Sequence, residues 1–215
     1  MSSYTIKAVL SNPQHPEHGQ ITIPFPIPNE EYDHSMELLK AMEFGDALQQ
    51  DCQVDEVDSY YGILKRLEGQ NVNVDELDYL AKRLDSFCVG EDAQFQGMAA
   101  KLDLSKITDF INLTFCCQQA TVITDFSDLK KVGQDHYMNL HGGCASTEEL
   151  ENLDGYETAL LLIDSGAGQV TPYGVVYSNG MRLEQLYDGR HFPCYNCNAA
   201  PIIAGVVSCH APREA

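Results

Sequence analysis

His191, Cys194 and Cys197 follow one another with two residues between each, and Cys209-His210 lies downstream. Imidazole and thiolate groups at that spacing are the material of a tetrahedral zinc site. A zinc module would be expected to carry a second Cys-x-x-Cys. The Ala-, Ile- and Val-rich stretch between Cys197 and Cys209 does not resemble a zinc knuckle. Buried or unliganded thiols are therefore the expectation, and His191, Cys194, Cys197 and Cys209 stay as metal-ligating candidates only. Cys194 and Cys197 do not open a helix after a strand, as a redox pair does. Cys116 or Cys117 with His136 or His141 has the residue types of a cysteine hydrolase, but no nucleophile elbow surrounds them. The runs DSYYGILKRLE and DFSDLKKVGQD lack the alternating Asp/Asn ligands and central Gly of a calcium loop. Ser165-Gly166-Ala167-Gly168-Gln169 reads as a turn and not as a phosphate loop. Neither an enzyme nor a cofactor is expected.

Carboxylates remain. The 215 residues hold 32 Asp and Glu against 13 Lys and Arg, a formal charge of −19 at pH 7. Binding to nucleic acid needs Lys and Arg against phosphate, so a direct nucleic-acid ligand is excluded. An anionic membrane surface is disfavoured for the same reason. A basic protein, a cation or a DNA-binding enzyme fits the charge. The imbalance is uneven: −5 over residues 1–50, −7 over 51–115, −6 over 116–158 and −1 over 159–215. The acids best placed for a partner are Asp75, Glu76, Asp78, Asp85, Glu91, Asp92, Asp125, Asp128, Asp135, Glu148, Glu149 and Glu151. Some of them also suit a structural role. Asp75 and Glu76 lie in a first helical turn, and Glu149 completes a capping box with Ser146.

These acids need helices to hold them at fixed offsets. Leu77, Leu80, Ala81, Leu84 and Phe87 recur at helical spacing and make one buried face, with Asp75, Glu76, Asp78 and Asp85 largely on the others. Asn73 caps that helix. Further helices are expected over Asn29–Met42, Ser59–Gly69, Glu91–Leu102, Ser105–Phe115 and Ser127–Tyr137, and a short one opens at Ser146. Phe110 and Leu113 belong to the core. Strands are expected at Tyr4–Leu10, Gln20–Ile27, Asp51–Val57 and Ala120–Thr124. Pro24, Pro26 and Pro28 mark the second as an edge strand or a strand end. Ala159–Ile163 suits helix or strand. Gly174–Tyr177 and Met181–Tyr187 read as a hairpin around Ser178-Asn179-Gly180. The whole reads as an elongated α+β protein of small modules: 1–56 α+β, 57–115 helical, and 116–215 α+β with an unassigned tail from about residue 188.

No apolar run approaches the roughly 18 residues of a membrane span. MSSYTIKAVL lacks a signal-peptide pattern. A cytoplasmic protein with reduced thiols is expected.

The order of these patterns is similar to that of a known family. LSNPQHPEHGQITIPFPI is a strand, an Asn-bearing loop, a Gly and a strand ending in Pro-Phe-Pro-Ile. VDELDYLAKRLDSF is followed by LDLSKITDFINL, a strand, FSDLKKVGQDHY and YGVVYSNGMRLEQLY. From about Tyr4 to Tyr187 this resembles the ArdA antirestriction proteins, in order and pattern and not through one signature. The resemblance implies an acidic dimer from a mobile genetic element. Such a dimer copies the shape and charge of B-form DNA and occupies the DNA groove of type I restriction–modification enzymes. The tail with its cysteines lies outside the resemblance. The competing expectation is an acidic scaffold or regulatory protein of a mobile element, which would bind a basic protein through one patch with an apolar centre.

Overall fold

The computed structural model describes residues 4–45 and 49–193. Strands β1 (Ile6–Ser11) and β2 (Gln20–Phe25) form an antiparallel hairpin, followed by α1 (Tyr32–Ala41), β3 (Cys52–Ser59) and β4 (Asn71–Val72). The four strands lie in the order β2-β1-β3-β4, antiparallel throughout. Pro24 therefore sits on an edge strand, where its missing N–H removes no ladder bond. Ile6, Ala8 and Leu10 alternate inward from β1, fully buried.

In β3 a strict alternation would carry Cys52 and Val54 inward and then Glu56. The pairing to β1 shifts between Val9 and Leu10, so that Asp55 is an extra residue. The bulge changes the phase by one: Val57 turns in, and Glu56 and Asp58 face water. Asp55 is held there by the side-chain amides of Gln20 and Gln53, each at 2.9 Å. The helix expected over Ser59–Gly69 is a 3-10 helix at Gly62–Leu67, because β3 runs on to Ser59.

Helix α2 (Val74–Asp85) opens on a complete capping box, with Asn73 accepting from Asp75 N and Glu76 accepting from Asn73 N. Then come α3 (Glu91–Lys101), α4 (Ile107–Leu113), β5 (Thr121–Ile123), α5 (Leu129–Leu140), α6 (Thr147–Asn152), α7 (Gly155–Asp164), β6 (Gln169–Thr171) and β7 (Gly174–Tyr177). Asp128, not Ser127, caps α5, accepting from Lys131 N at 3.0 Å. Ser127 instead donates to Asp125. Residues 159–163 are helical, within α7.

The chain divides into two compact units that do not follow the three consecutive modules. One comprises the described residues of Met1–Phe87, Ser105–Asn112 and Gln185–Ala215; the other is Cys88–Leu104 with Leu113–Glu184. The stretch 57–115 is thus shared between them. The fold class is α+β.

In the second unit the sheet order is β5-β7-β6. Its alternation assigns Ile123, Val175 and Tyr177 to one face, where they pack with Leu162, Ile163 and Val132 of α7 and α5. Val122 and Val176 take the other face, against α3, where Gly97 leaves room for their methyls. The Ser178-Asn179-Gly180 turn forms as expected, with positive φ at Asn179 and Gly180 and Met181 N donating to Ser178 O at 2.7 Å. No return strand follows it. Both edges of β7 are already taken, by β5 and by β6, so 181–187 has no ladder to join. The hairpin is 169–177 instead, closed at Pro172-Tyr173 by Thr171, whose hydroxyl donates to Gly174 O and accepts from Tyr173 N.

Candidate acidic interaction surfaces

The acids of α2 are not where their periodicity put them. Asp75, Glu76 and Asp78 are 2–3% exposed, and only Lys82 and Asp85 of that helix escape burial. For Glu76 and Tyr79 the cover comes from about a hundred residues downstream, whereas Asp78 accepts from the Ile27 backbone that precedes α1. The segment 185–193 lies over the helix: Tyr79 stacks on Phe192 at 4.7 Å and donates to Pro193 O at 2.7 Å. Tyr187 stacks on Phe192 and donates its hydroxyl to Glu76 at 2.9 Å. Asn112, fully buried on α4, exchanges two hydrogen bonds with the Tyr187 backbone, at 3.0 and 2.7 Å. Asp78 is paired with Lys82 at 2.5 Å. Burial pushes the carboxyls of Glu76 and Asp78 up from their ordinary range, and the capping amide of Asn73 and the Lys82 charge oppose that shift respectively. Glu76 and Asp78 are therefore internal polar anchors, and burial removes all three acids from any presented surface.

The other nine acids keep access to water. Asp85, Asp125, Asp128, Asp135, Glu148, Glu149 and Glu151 are exposed, and Glu91 and Asp92 are half-buried at the start of α3. Glu91 accepts from Cys88 N at 2.6 Å. In the second unit Asp125, Asp128 and Asp135 line one recess of about 150 Å³ with Lys131 and β5. The Ser127 hydroxyl and amide hold Asp125 below the usual carboxylate range. Asp135 is raised by partial burial, with Lys131 pulling the other way. Glu148 and Glu149 border a second recess with Tyr137, Ser146 and Asn152. The Ser146 amide and hydroxyl lower Glu149. Glu151, Asp154 and Glu157 continue that exposed acidic run from α6 into α7. Among the described residues, none of the six carboxylates at 125, 128, 135, 148, 149 and 151 is in a salt bridge.

Further exposed acids stand outside the expected set. Glu30, Glu31, Asp33 and Glu37 lie before and along α1, and Glu56 and Asp58 on the outer side of β3. Helical spacing alone could have found the first group; the second depends on the bulge. An apolar groove of about 510 Å³ beside α5 and α7, where Leu140 and Leu161 are 53% and 66% exposed near Tyr137, Leu162 and Tyr177, is likewise outside the expected set.

The residues weighed for other chemistry are placed as follows. Cys116 and Cys117 are buried, and burial pushes the Cys116 thiol up, away from the thiolate a nucleophile needs. His136 Nδ1 sits 2.9 Å from the Thr121 hydroxyl, which also accepts from Asn139 and Asn179. That hydroxyl has one proton and two lone pairs, so the proton falls to His136. Burial lowers the His136 pKa, favouring the neutral ring. His191 is bound to Asp188, its Nδ1 at 3.0 Å from the carboxylate. Cys194, Cys197 and Cys209 lie outside the described residues. Among the described residues, His15, Glu17 and His18 can bring ligand atoms together for a metal. No helix of the described residues is long and apolar enough to cross a membrane. Compared with known proteins, the chain matches no family model, no curated protein and no solved structure.

Proposed function

We propose that this protein is an antirestriction protein of the ArdA type, which inhibits type I restriction–modification enzymes by occupying their DNA groove in place of DNA. The observation that carries the reading is the set of six exposed carboxylates on β5–α5 and α6, none neutralised by a salt bridge among the described residues. A DNA-gripping enzyme lines its groove with Lys and Arg, and unneutralised carboxylates can make the same charge-assisted contacts that phosphates make. The net charge of −19 adds long-range steering, which speeds encounter at low salt. The reading further takes the protein as cytoplasmic and dimeric, with neither catalysis nor cofactor involved.

The competing reading is an acidic scaffold that binds a basic protein without copying DNA. It is favoured by the apolar groove beside α5 and α7, a centre that a DNA mimic does not require. Replacing Leu161, 66% exposed, by Ser separates the two. Inhibition of DNA cleavage by a purified type I enzyme should survive Leu161→Ser under the mimic reading. Loss of inhibition with the fold intact would move the assignment to the scaffold.

A further inference from the structure

The β1–β2 connection holds a group of side chains that neither the acidic surface nor the core uses. Pro16–His18 is a single 3-10 turn with His15 as its N-terminal flank. Pro16 sits at the turn's first positions, where a fixed φ is an advantage. Residues three apart eclipse in a 3-10 turn. The rings of His15 and His18 accordingly stack at 5.1 Å with 11° between their planes. One ligand atom each from His15, Glu17 and His18 lies within 4.8 Å of the others. His15 Nδ1 is 3.1 Å from Glu17 Oε1, close to the ligand–ligand edge of a tetrahedron with metal bonds of about 2.0–2.1 Å.

From these residues we infer a binding site for a divalent first-row transition ion such as Zn2+, with His15, Glu17 and His18 as ligands and Glu43 as the outer partner of His15. Two observations beyond the cluster point to a ligand. His18 Nδ1 is buried and has no hydrogen-bond partner among the described residues, an uncompensated nitrogen that a metal bound to Nδ1 itself would account for. On its other side, His15 Nε2 lies 3.8 Å from Glu43 Oε2. A metal-bound imidazole characteristically passes its second N–H to a carboxylate, which fixes the ring and raises its basicity. Glu43 is not there by the chance of a loose loop. Buried Asn12 donates to Met42 O at 2.9 Å and Glu43 O at 3.4 Å, and accepts from Gln14 N at 3.0 Å. One side chain thus ties the His-bearing loop to the end of α1. Two imidazoles and a carboxylate suit zinc, nickel or copper; magnesium and calcium take all-oxygen shells. Three protein ligands leave a fourth position for water.

The test uses the full chain and Zn2+ in isothermal calorimetry, with Mg2+ as the comparison ion. The rival site is the cysteine tail, so the triple variant Cys194→Ser/Cys197→Ser/Cys209→Ser is titrated alongside. One Zn2+ per chain should persist in the triple variant and be abolished by His15→Ala or His18→Ala. Glu43→Gln should weaken it by about 10–100-fold. Nitrogen shifts of the His15 and His18 rings on adding Zn2+ read the wild-type chain directly, so the test stands even if a variant misfolds. Zinc uptake unchanged in the His variants, uptake lost with the tail cysteines, or ring shifts absent at saturating Zn2+ would each overturn the inference.

Discussion

Glu76 holds two roles at once in a buried position. It closes the capping box of α2, accepts the Tyr187 hydroxyl and is 2% exposed. Its carboxyl is raised from 4.5, chiefly by burial, so the folded state holds the proton more tightly than the unfolded chain does. Stability from this group is therefore fully present below its unfolded pKa of about 4.5 and is lost as pH rises through the folded value. Glu76→Gln keeps a capping-box side chain and removes the titration. Urea unfolding should show wild-type stability falling as pH rises above about 4.5, with a shallower fall in the variant. Equal slopes would mean that Glu76 does not titrate in that window. Tyr187→Phe removes the donor and should cost about 1–3 kcal/mol where the carboxyl is ionised, and less at pH low enough to protonate it. A cost independent of pH would assign the loss to packing alone.

At the scale of elements, two glycines set how closely helices pack. A Cβ on Gly133 of α5 would lie 1.9 Å from Gly155 O of α7, whereas one on Gly97 of α3 would meet the Val176 methyl at 2.9 Å. Backbone cannot yield as a side chain can. Gly133→Ala should therefore cost more than Gly97→Ala, about 1–3 kcal/mol for the former, in thermal or urea unfolding. A reversed order would show that α5 and α7 can part without loss.

Elements also show what could be seen in the sequence. The apolar stripe of α2, its Asn73 cap, the Ser146–Glu149 box and the Asn179-Gly180 turn were legible because each depends on residues a few positions apart. The fate of the α2 acids was not, because Tyr187 and Phe192 cover that helix from far along the chain. The register of β3 turned on one bulge at Asp55. The missing return strand after Gly180 turned on β6, which had already filled the free edge of β7. Of the seven acids that stay exposed, all but Asp85 lie on or just before α5 and on α6 in the second unit, where local pattern is enough. His15, Glu17 and His18 sit in a loop whose 3-10 turn, and whose tie to Glu43 through Asn12, appear only once the chain is folded.

For the whole molecule the governing quantity is charge. An exposed carboxylate paired across an interface contributes about 0.2–1 kcal/mol. A single acid-to-amide change should therefore weaken inhibition by less than about fivefold, since 1.4 kcal/mol is a factor of ten. Six changes together, at roughly 0.5 kcal/mol each, should weaken it by about a hundredfold. DNA mimicry stands or falls on displacement of labelled duplex DNA from a type I modification enzyme. The wild-type chain would be titrated beside the variant with Asp125, Asp128, Asp135, Glu148, Glu149 and Glu151 all changed to amides. The wild-type chain should displace DNA, less well as salt is raised. The sixfold variant, with unchanged circular dichroism, should displace it about a hundredfold less well. Failure of the folded wild-type chain to displace DNA from any of several such enzymes, or undiminished displacement by the sixfold variant, would contradict DNA mimicry.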